Sequence, residues 1–172
     1  MDEIKLFLSD DQWPFEYIDH DRDIVRAIVF DDRGYLYFVR ADRDDDFGKA
    51  ILIETSGGGV ENGEDHISAI SRELEEELGV RVRVIGKLGV VEDYYNLIHR
   101  HNINNYFLCK ITSLTEKKLT QDEMNKFHLS TLKITYDEAV LEYEKRSNTC
   151  LGKLISNREL PILKHAKQYI NF

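Results

Sequence analysis

The sequence predicts an α/β fold, in which a mixed β-sheet carries helices on its faces. Two observations support this class. Short runs rich in β-branched and aromatic residues recur along most of the chain, and amphipathic or capped helical segments lie between and after them. The length of 172 residues suits one domain with its own hydrophobic core, so we expect a single domain over residues 1–172.

The predicted strands are runs of mainly apolar residues bounded by turn-forming residues. The first two are separated by Asp31-Asp32-Arg33-Gly34, which indicates a hairpin. The third is short and leads into a glycine-rich segment. In chain order the predicted strands are Ile24–Phe30, Tyr35–Arg40, Ala50–Ile53, Arg81–Val91, Asn104–Thr112 and Phe127–Ile134.

Three helices are predicted between and after these strands. The segment Thr135–Glu138 has the form of a capping box and should open a helix that runs to about Lys145. A last helix is expected near Asn157 to Ile170, bent or started by Pro161. The first helix has an apolar face whose members recur at spacings of three or four: Ile67, Ile70, Leu74 and Leu78.

Composition excludes several classes of function. A formal net charge of -9 argues against binding of a nucleic acid polymer, which usually needs a basic surface. A small nucleotide stays compatible, because a bound metal can supply local positive charge. Cys109 and Cys150 are too few for a disulfide framework or a zinc site, so we interpret them as reduced thiols of a cytoplasmic protein. We expect no signal peptide and no association with a membrane.

The first helix also carries a group of carboxylates beside its apolar face. At about 100° of rotation per residue, Glu73, Glu76 and Glu77 fall on one flank, whereas Glu75 points away from them. Such crowding weakens a helix, and a hard divalent cation with oxygen ligands, Mg²⁺ or Mn²⁺, would relieve it. An acidic helix face exposed to solvent is the alternative. Arg72 lies one turn before Glu76 and can hold that carboxylate.

The segment Ser56–Glu64 precedes this helix and contains four glycines. Glycine allows the backbone to approach a ligand closely, although glycines are also common in ordinary turns between a strand and a helix. Together the segment and the helix resemble the Nudix box, Gly-x5-Glu-x7-Arg-Glu-U-x-Glu-Glu-x-Gly-U, in which U is a bulky aliphatic residue. The fixed positions, from Gly58 to Val80, are all matched: Gly58, Glu64, Arg72, Glu73, Leu74, Glu76, Glu77, Gly79 and Val80.

The resemblance to Nudix hydrolases implies an α/β/α sandwich and a reaction. Water would attack phosphorus in the diphosphate linkage of a nucleoside diphosphate derivative, with Mg²⁺ or Mn²⁺ as cofactor. It implies that Glu73, Glu76 and Glu77 are metal ligands, together with the Gly57 carbonyl. By the same resemblance, Glu76, Glu73 and Arg72 are catalytic, with Arg72 orienting a ligand carboxylate.

The resemblance leaves the general base open, because family members use either a carboxylate of the helix or a glutamate in a loop before a late strand. The second option favours Glu123, with an ordinary loop acid as the alternative, and Glu92 is a weaker candidate. For substrate binding we expect Gly58, Glu64 and Tyr95 to contribute. Glu64 could instead cap the helix, and Tyr95 could be a buried aromatic residue of the sheet rather than a platform for a base.

The expected partner is a small nucleotide, with ADP-ribose or a nucleotide sugar as the substrates considered. Two other functions compete within the same fold. A catalytically silent nucleotide-binding sensor usually has a broken box, whereas this box is intact. An isopentenyl diphosphate isomerase would need a catalytic cysteine ahead of the box, whereas Cys109 follows it. Uncovered sheet edges would permit a homodimer.

Overall fold

In a computed structural model, which describes residues 1–171, eight strands form one mixed sheet. The strands are β1 (Ile4–Phe7), β2 (His20–Phe30), β3 (Leu36–Asp45), β4 (Gly48–Glu54), β5 (Ser56–Gly59), β6 (Val80–Tyr95), β7 (Arg100–Leu114) and β8 (Ser130–Ile134). The main order is β1-β6-β7-β2-β3-β4, with β5 paired to β2 and β8 paired to β3. The sheet is mixed because β1–β6 and β2–β7 are parallel pairs and the others are antiparallel.

Helices cover both faces of this sheet. They are α1 (His66–Leu78), α2 (Gln121–Asn125), α3 (Tyr136–Arg146) and α4 (Cys150–Ala166), with 3-10 turns at Asn96–Ile98 and Lys167–Tyr169. The side chains of α1 pack into one apolar core, and those of α3 and α4 pack into a second core on the other face. The predicted α/β/α sandwich is therefore confirmed. None of the helices within residues 1–171 is both long and apolar enough to cross a bilayer.

The helix α1 is defined by caps at both ends. Its N-cap is Asp65, whose carboxylate accepts a hydrogen bond from the Ser68 amide at 2.9 Å. Its C-cap is Gly79, in the left-handed conformation with φ 65°. The buried face contains Ala69, Ile70, Leu74 and Leu78, whereas Ile67 in the first turn is 49% exposed. The predicted apolar face is thus confirmed except at its first residue.

Several boundaries differ from those predicted. The glycine-rich segment is not only a connection, since Ser56–Gly59 forms β5 and pairs with β2. The helix α4 begins at Cys150, capped by the Thr149 side chain, because the preceding turns also bury apolar residues. Pro161 lies inside α4 rather than at its start. The short elements β1 and α2 were not predicted, since four or five residues are too few for a periodic pattern.

A buried ionic network joins α4 to the sheet. The Arg158 side chain is fully buried and contacts Glu159 at 3.1 Å, Asp93 at 3.2 Å and Glu54 at 3.3 Å. Its guanidinium also donates to the hydroxyls of Tyr95 at 2.7 Å and Tyr106 at 3.1 Å. These residues come from α4, β4, β6 and β7, so one guanidinium holds four elements in register.

Replacing Arg158 with Met should lower the free energy of unfolding by about 3 to 5 kcal/mol, because it leaves buried carboxylates without a counter-charge. Urea unfolding followed by circular dichroism measures this loss. The control is Arg81→Met, whose side chain is 65% exposed and which should change stability by less than about 0.5 kcal/mol. Equal losses in the two variants would contradict a role for the network.

Candidate active site

A cavity opens between β5 and α1 on one side and the segment around α2 on the other, with the sheet as its floor. Its volume is about 370 Å³. The lining is strongly polar, and its charged members are the carboxylates of Glu54, Glu73, Glu77 and Glu123 and the guanidiniums of Arg22, Arg26, Arg43 and Arg100. The backbones of Gly57, Gly58 and Gly59 form part of the wall.

Arg72 on α1 organises the carboxylates beside this cavity. Its guanidinium binds Glu64 through two hydrogen bonds of 2.9 Å and Glu73 through one of 2.6 Å. The expected contact with Glu76 is present but is longer, at 3.4 Å. A further bond of 3.2 Å reaches the Gly59 carbonyl, so Arg72 also attaches the glycine strand to the helix.

Glu64 does not cap the helix, because Asp65 fills that position. The Glu64 carboxylate also lies outside the cavity lining and is occupied by Arg72 and by the Glu61 amide. Hydrogen bonds from Arg72 hold the pKa of Glu64 below its ordinary value. The structure therefore places Glu64 where it can hold Arg72 in position. Glu64 would not contact a ligand in the cavity directly and would affect it through Arg72.

Glu77 is the most deeply placed carboxylate of the helix. It accepts hydrogen bonds from the Ser56 hydroxyl at 2.5 Å and from the Gly57 amide at 3.1 Å. Burial raises the pKa of Glu77 to about 8, although these two bonds favour its charged form. The buried carboxylate is thus attached directly to β5.

Glu73 packs against the backbone of Gly58. A Cβ atom at position 58 would lie 2.5 Å from the Glu73 carboxyl carbon, so only glycine leaves room for this side chain. Burial raises the pKa of Glu73, against the opposing effect of Arg72. The absence of a side chain at Gly58 is therefore a requirement of the carboxylate cluster.

The donor set fits a hard cation in its chemistry. Glu73 and Glu77 face the cavity, and Glu76 has a side chain that is 39% exposed. Gly57 lines the same wall and could add a carbonyl oxygen. Oxygen donors of this kind suit Mg²⁺ or Mn²⁺. Across residues 1–171, however, no three acidic, histidine or cysteine side chains are already arranged around one point. Two of the carboxylates, those of Glu73 and Glu77, are instead hydrogen-bonded by Arg72 and Ser56.

The two candidate general bases outside α1, Glu123 and Glu92, differ in their position relative to the cavity. Glu123 lines the cavity, while its carboxylate also accepts a hydrogen bond from the Thr120 amide at 2.6 Å in the capping box of α2. Glu92 lies outside the lining, and its carboxylate contacts His101 at 3.0 Å. The structure brings Glu123, and not Glu92, to the carboxylates of α1.

Tyr95 lies in the cavity wall and is 7% exposed. Its hydroxyl accepts a hydrogen bond from Arg158, and its ring lies 5.6 Å from Phe47 and 5.2 Å from the Arg100 guanidinium. Tyr95 is therefore a buried aromatic residue of the sheet that lies at the cavity wall, and its role as a platform for a base stays a prediction. Tyr94 stacks on His101, outside the cavity lining.

The four cavity arginines were missed by sequence reasoning. Arg22 and Arg26 alternate with Ile24 on β2 and so share one face, and Arg100 begins β7. Only Arg26 lies inside a predicted strand, Ile24–Phe30, where a charged residue among apolar ones could have indicated a functional position. Arg22 and Arg100 lie beyond the strand bounds that the sequence predicted.

Comparison with known proteins agrees with this geometry. A family model described as the NUDIX domain matches residues 20–149. Comparison with curated proteins found no match.

Several solved structures have a similar fold. A NUDIX hydrolase from Nitrosomonas europaea is 18% identical, with a TM-score of 0.67 over 89% of this chain and 93% of that one. An ADP compounds hydrolase is 18% identical, with a TM-score of 0.57 over 86% and 72%. A UDP-X diphosphatase is also 18% identical, with a TM-score of 0.57 over 90% and 66%.

Replacing Gly58 with Ala should displace the Glu73 carboxylate and weaken Mn²⁺ binding by at least about tenfold, as changes beside metal ligands commonly do. Titration calorimetry with Mn²⁺ measures this. The matched control is Gly86→Ala, where a Cβ atom meets only the flexible Met1 side chain at 3.3 Å. Unchanged Mn²⁺ affinity in a folded Gly58→Ala protein would show that Glu73 is not a ligand.

Proposed function

The chain belongs to the NUDIX family, and from this membership we propose that it uses Mg²⁺ or Mn²⁺ to hydrolyse the diphosphate linkage of a nucleoside diphosphate derivative. The observation that carries the proposal is the meeting of Glu73, Glu77 and Glu123 with the glycine wall at one cavity. Repelling carboxylates at a cavity of this kind favour a divalent cation and, through it, a phosphate ligand.

In this proposal Glu73, Glu76 and Glu77 hold the metal, with the Gly57 carbonyl as a further donor. When bound, the metal polarises the diphosphate and lowers the pKa of water. Arg72 keeps Glu73 and Glu76 in place through its own bonds to Glu64. The role of Glu64 is accordingly to position Arg72.

We propose Glu123 as the general base that takes the proton from the attacking water. Its position across the cavity from α1 supports this role, because a base must reach the water without being a rigid part of the metal shell. The capping bond from Thr120 orients the carboxylate before substrate binds.

The substrate candidates are ADP-ribose and nucleotide sugars. They are supported by the similarity in fold to proteins described as an ADP compounds hydrolase and a UDP-X diphosphatase. The rings of Tyr95 and Phe127 line the cavity and offer apolar surface for a base or a sugar. A catalytically silent sensor is the alternative function, and it requires binding without turnover.

Glu76→Gln should lower the rate of hydrolysis roughly a hundredfold, which corresponds to about 3 kcal/mol of activation free energy. The reason is that a neutral amide is a poor ligand for a hard cation. The assay is phosphate-product release from ADP-ribose, nucleotide sugars, dinucleoside polyphosphates, NADH and oxidised nucleoside triphosphates with Mg²⁺ or Mn²⁺. Glu75→Gln is the control, since Glu75 faces Arg81 at 3.7 Å. Binding of a substrate without any turnover by the unaltered protein would favour the sensor.

Glu123→Gln should lower kcat by about 10² to 10⁴, as loss of a general base does, with little change in Mn²⁺ affinity. Thr120→Ala removes the side chain that accepts from the Glu123 amide but keeps the carboxylate. This control separates catalysis from helix capping. If both variants lose activity equally, Glu123 acts through the structure of α2 and another group is the base.

A further inference from the structure

The cavity has a cationic side whose four guanidiniums differ in their partners. Arg26 lies 3.9 Å from Glu54 and 3.6 Å from Glu159. Arg43 binds Asp45 at 2.6 Å and lies over the Phe127 ring at 4.7 Å. The positive charges of these two residues are therefore compensated by carboxylates within the protein.

Among residues 1–171, Arg22 and Arg100 have no carboxylate within ion-pair distance, although the negative charge of Glu73 acts on Arg22 from farther away. The Arg100 Nε donates to Asn102 Oδ1 at 2.6 Å, and its guanidinium lies over the Tyr95 ring at 5.2 Å. In the part of the chain that the structure describes, neither residue forms an ion pair, and Arg22 forms no hydrogen bond. Both side chains nevertheless line the cavity.

The parallel pairing of β2 with β7 places these two residues on one face of neighbouring strands. His20 is opposite Arg100 and Arg22 is opposite Asn102, so the two arginines project from the same face two residues apart. Burial, followed by repulsion from Arg22, lowers the pKa of Arg100 to about 10. Two neighbouring cations stay charged at neutral pH within a chain of net charge -9.

Arg22 also borders the glycine wall. A Cβ atom at Gly59 would lie 3.3 Å from the Arg22 guanidinium. The preceding residue, Gly58, packs against Glu73. The cavity wall thus runs from carboxylates through the glycines to the two guanidiniums that lack an ion pair within residues 1–171. A ligand that spans it would meet the carboxylates of α1 at one end and these two guanidiniums at the other.

We propose that Arg22 and Arg100 together bind a phosphoryl group of the substrate beyond the two phosphorus atoms of the cleaved linkage. This deepens the proposed function and rests on it. It narrows the substrates from ADP-ribose and unphosphorylated nucleotide sugars, which contain only the two phosphorus atoms of the cleaved linkage, to derivatives with a further phosphoryl group. Guanidiniums match phosphate oxygens in geometry and charge, and one dianionic group between them removes their repulsion. The neutral sugar of an unphosphorylated nucleotide sugar would leave both charges uncompensated. The preferred substrates are then derivatives whose leaving group carries its own phosphate.

The test compares inorganic triphosphate with inorganic diphosphate as probes. Calorimetry with Ca²⁺, which accepts the same oxygen ligands, measures binding without depending on hydrolysis. The unaltered protein should bind triphosphate at least about tenfold more tightly than diphosphate, a preference that a charge-assisted contact can supply. Arg22→Met and Arg100→Met should each reduce the preference to less than about threefold.

Two further variants keep the result interpretable. Arg33→Met removes the same charge from the exposed hairpin turn and should retain the full preference. Arg100→Lys keeps the charge and should retain part of it, which separates loss of charge from loss of packing on Tyr95. Circular dichroism verifies that each variant folds.

The proposal is overturned if the unaltered protein does not distinguish the two probes, or if the distinction survives both methionine variants. Equal weakening of diphosphate and triphosphate binding in Arg22→Met and Arg100→Met would also overturn it, because the pair would then contact the cleaved linkage itself. Loss of hydrolysis across the substrate panel, with the triphosphate preference intact, would instead refute only the hydrolase proposal.

Discussion

The buried charge of Arg158 is the constraint on which the cavity depends. A guanidinium without solvent must be surrounded by acceptors, and those acceptors come from strands far apart in sequence. The same contacts fix Glu54 and Tyr95, which border the cavity, and Glu159 adds bonds to Thr55 at 2.7 Å. The floor of the site is therefore held by electrostatics as well as by apolar packing. The helix α4 is needed for this floor, and its Leu151 also lines the cavity.

A second set of charges, at α1, is arranged on a different principle. Arg72 is partly exposed and joins several carboxylates without neutralising all of them. The network around Arg158 is closed to solvent and structural, whereas the one around Arg72 is open to ligands. This contrast explains how one small protein can contain both a rigid ionic core and a cluster of partly exposed carboxylates.

The sequence predicted the parts of the fold that depend on local pattern. The helix α1, the strand runs and the capping box of α3 follow from spacing and turn residues, and the fixed spacing of Gly58 to Val80 located the carboxylates. The network of Arg158 could not be predicted, because Glu54 and Arg158 are 104 residues apart. The placement of Arg22 and Arg100 on one face of neighbouring strands depends in the same way on strand register. Asp65 rather than Glu64 became the cap because its shorter side chain reaches the Ser68 amide, which leaves Glu64 free for Arg72.

The glycine strand has a consequence for how such an enzyme can diverge. A Cβ atom at Gly57 would lie 2.0 Å from the Val25 carbonyl oxygen, and one at Gly58 would strike Glu73. At these two positions the wall therefore cannot accept a side chain that would serve as another recognition element. Substitutions that change substrate specificity are therefore expected on the opposite wall and in the α2 segment. The glycines and the carboxylates that pack on them would stay the same while specificity changes.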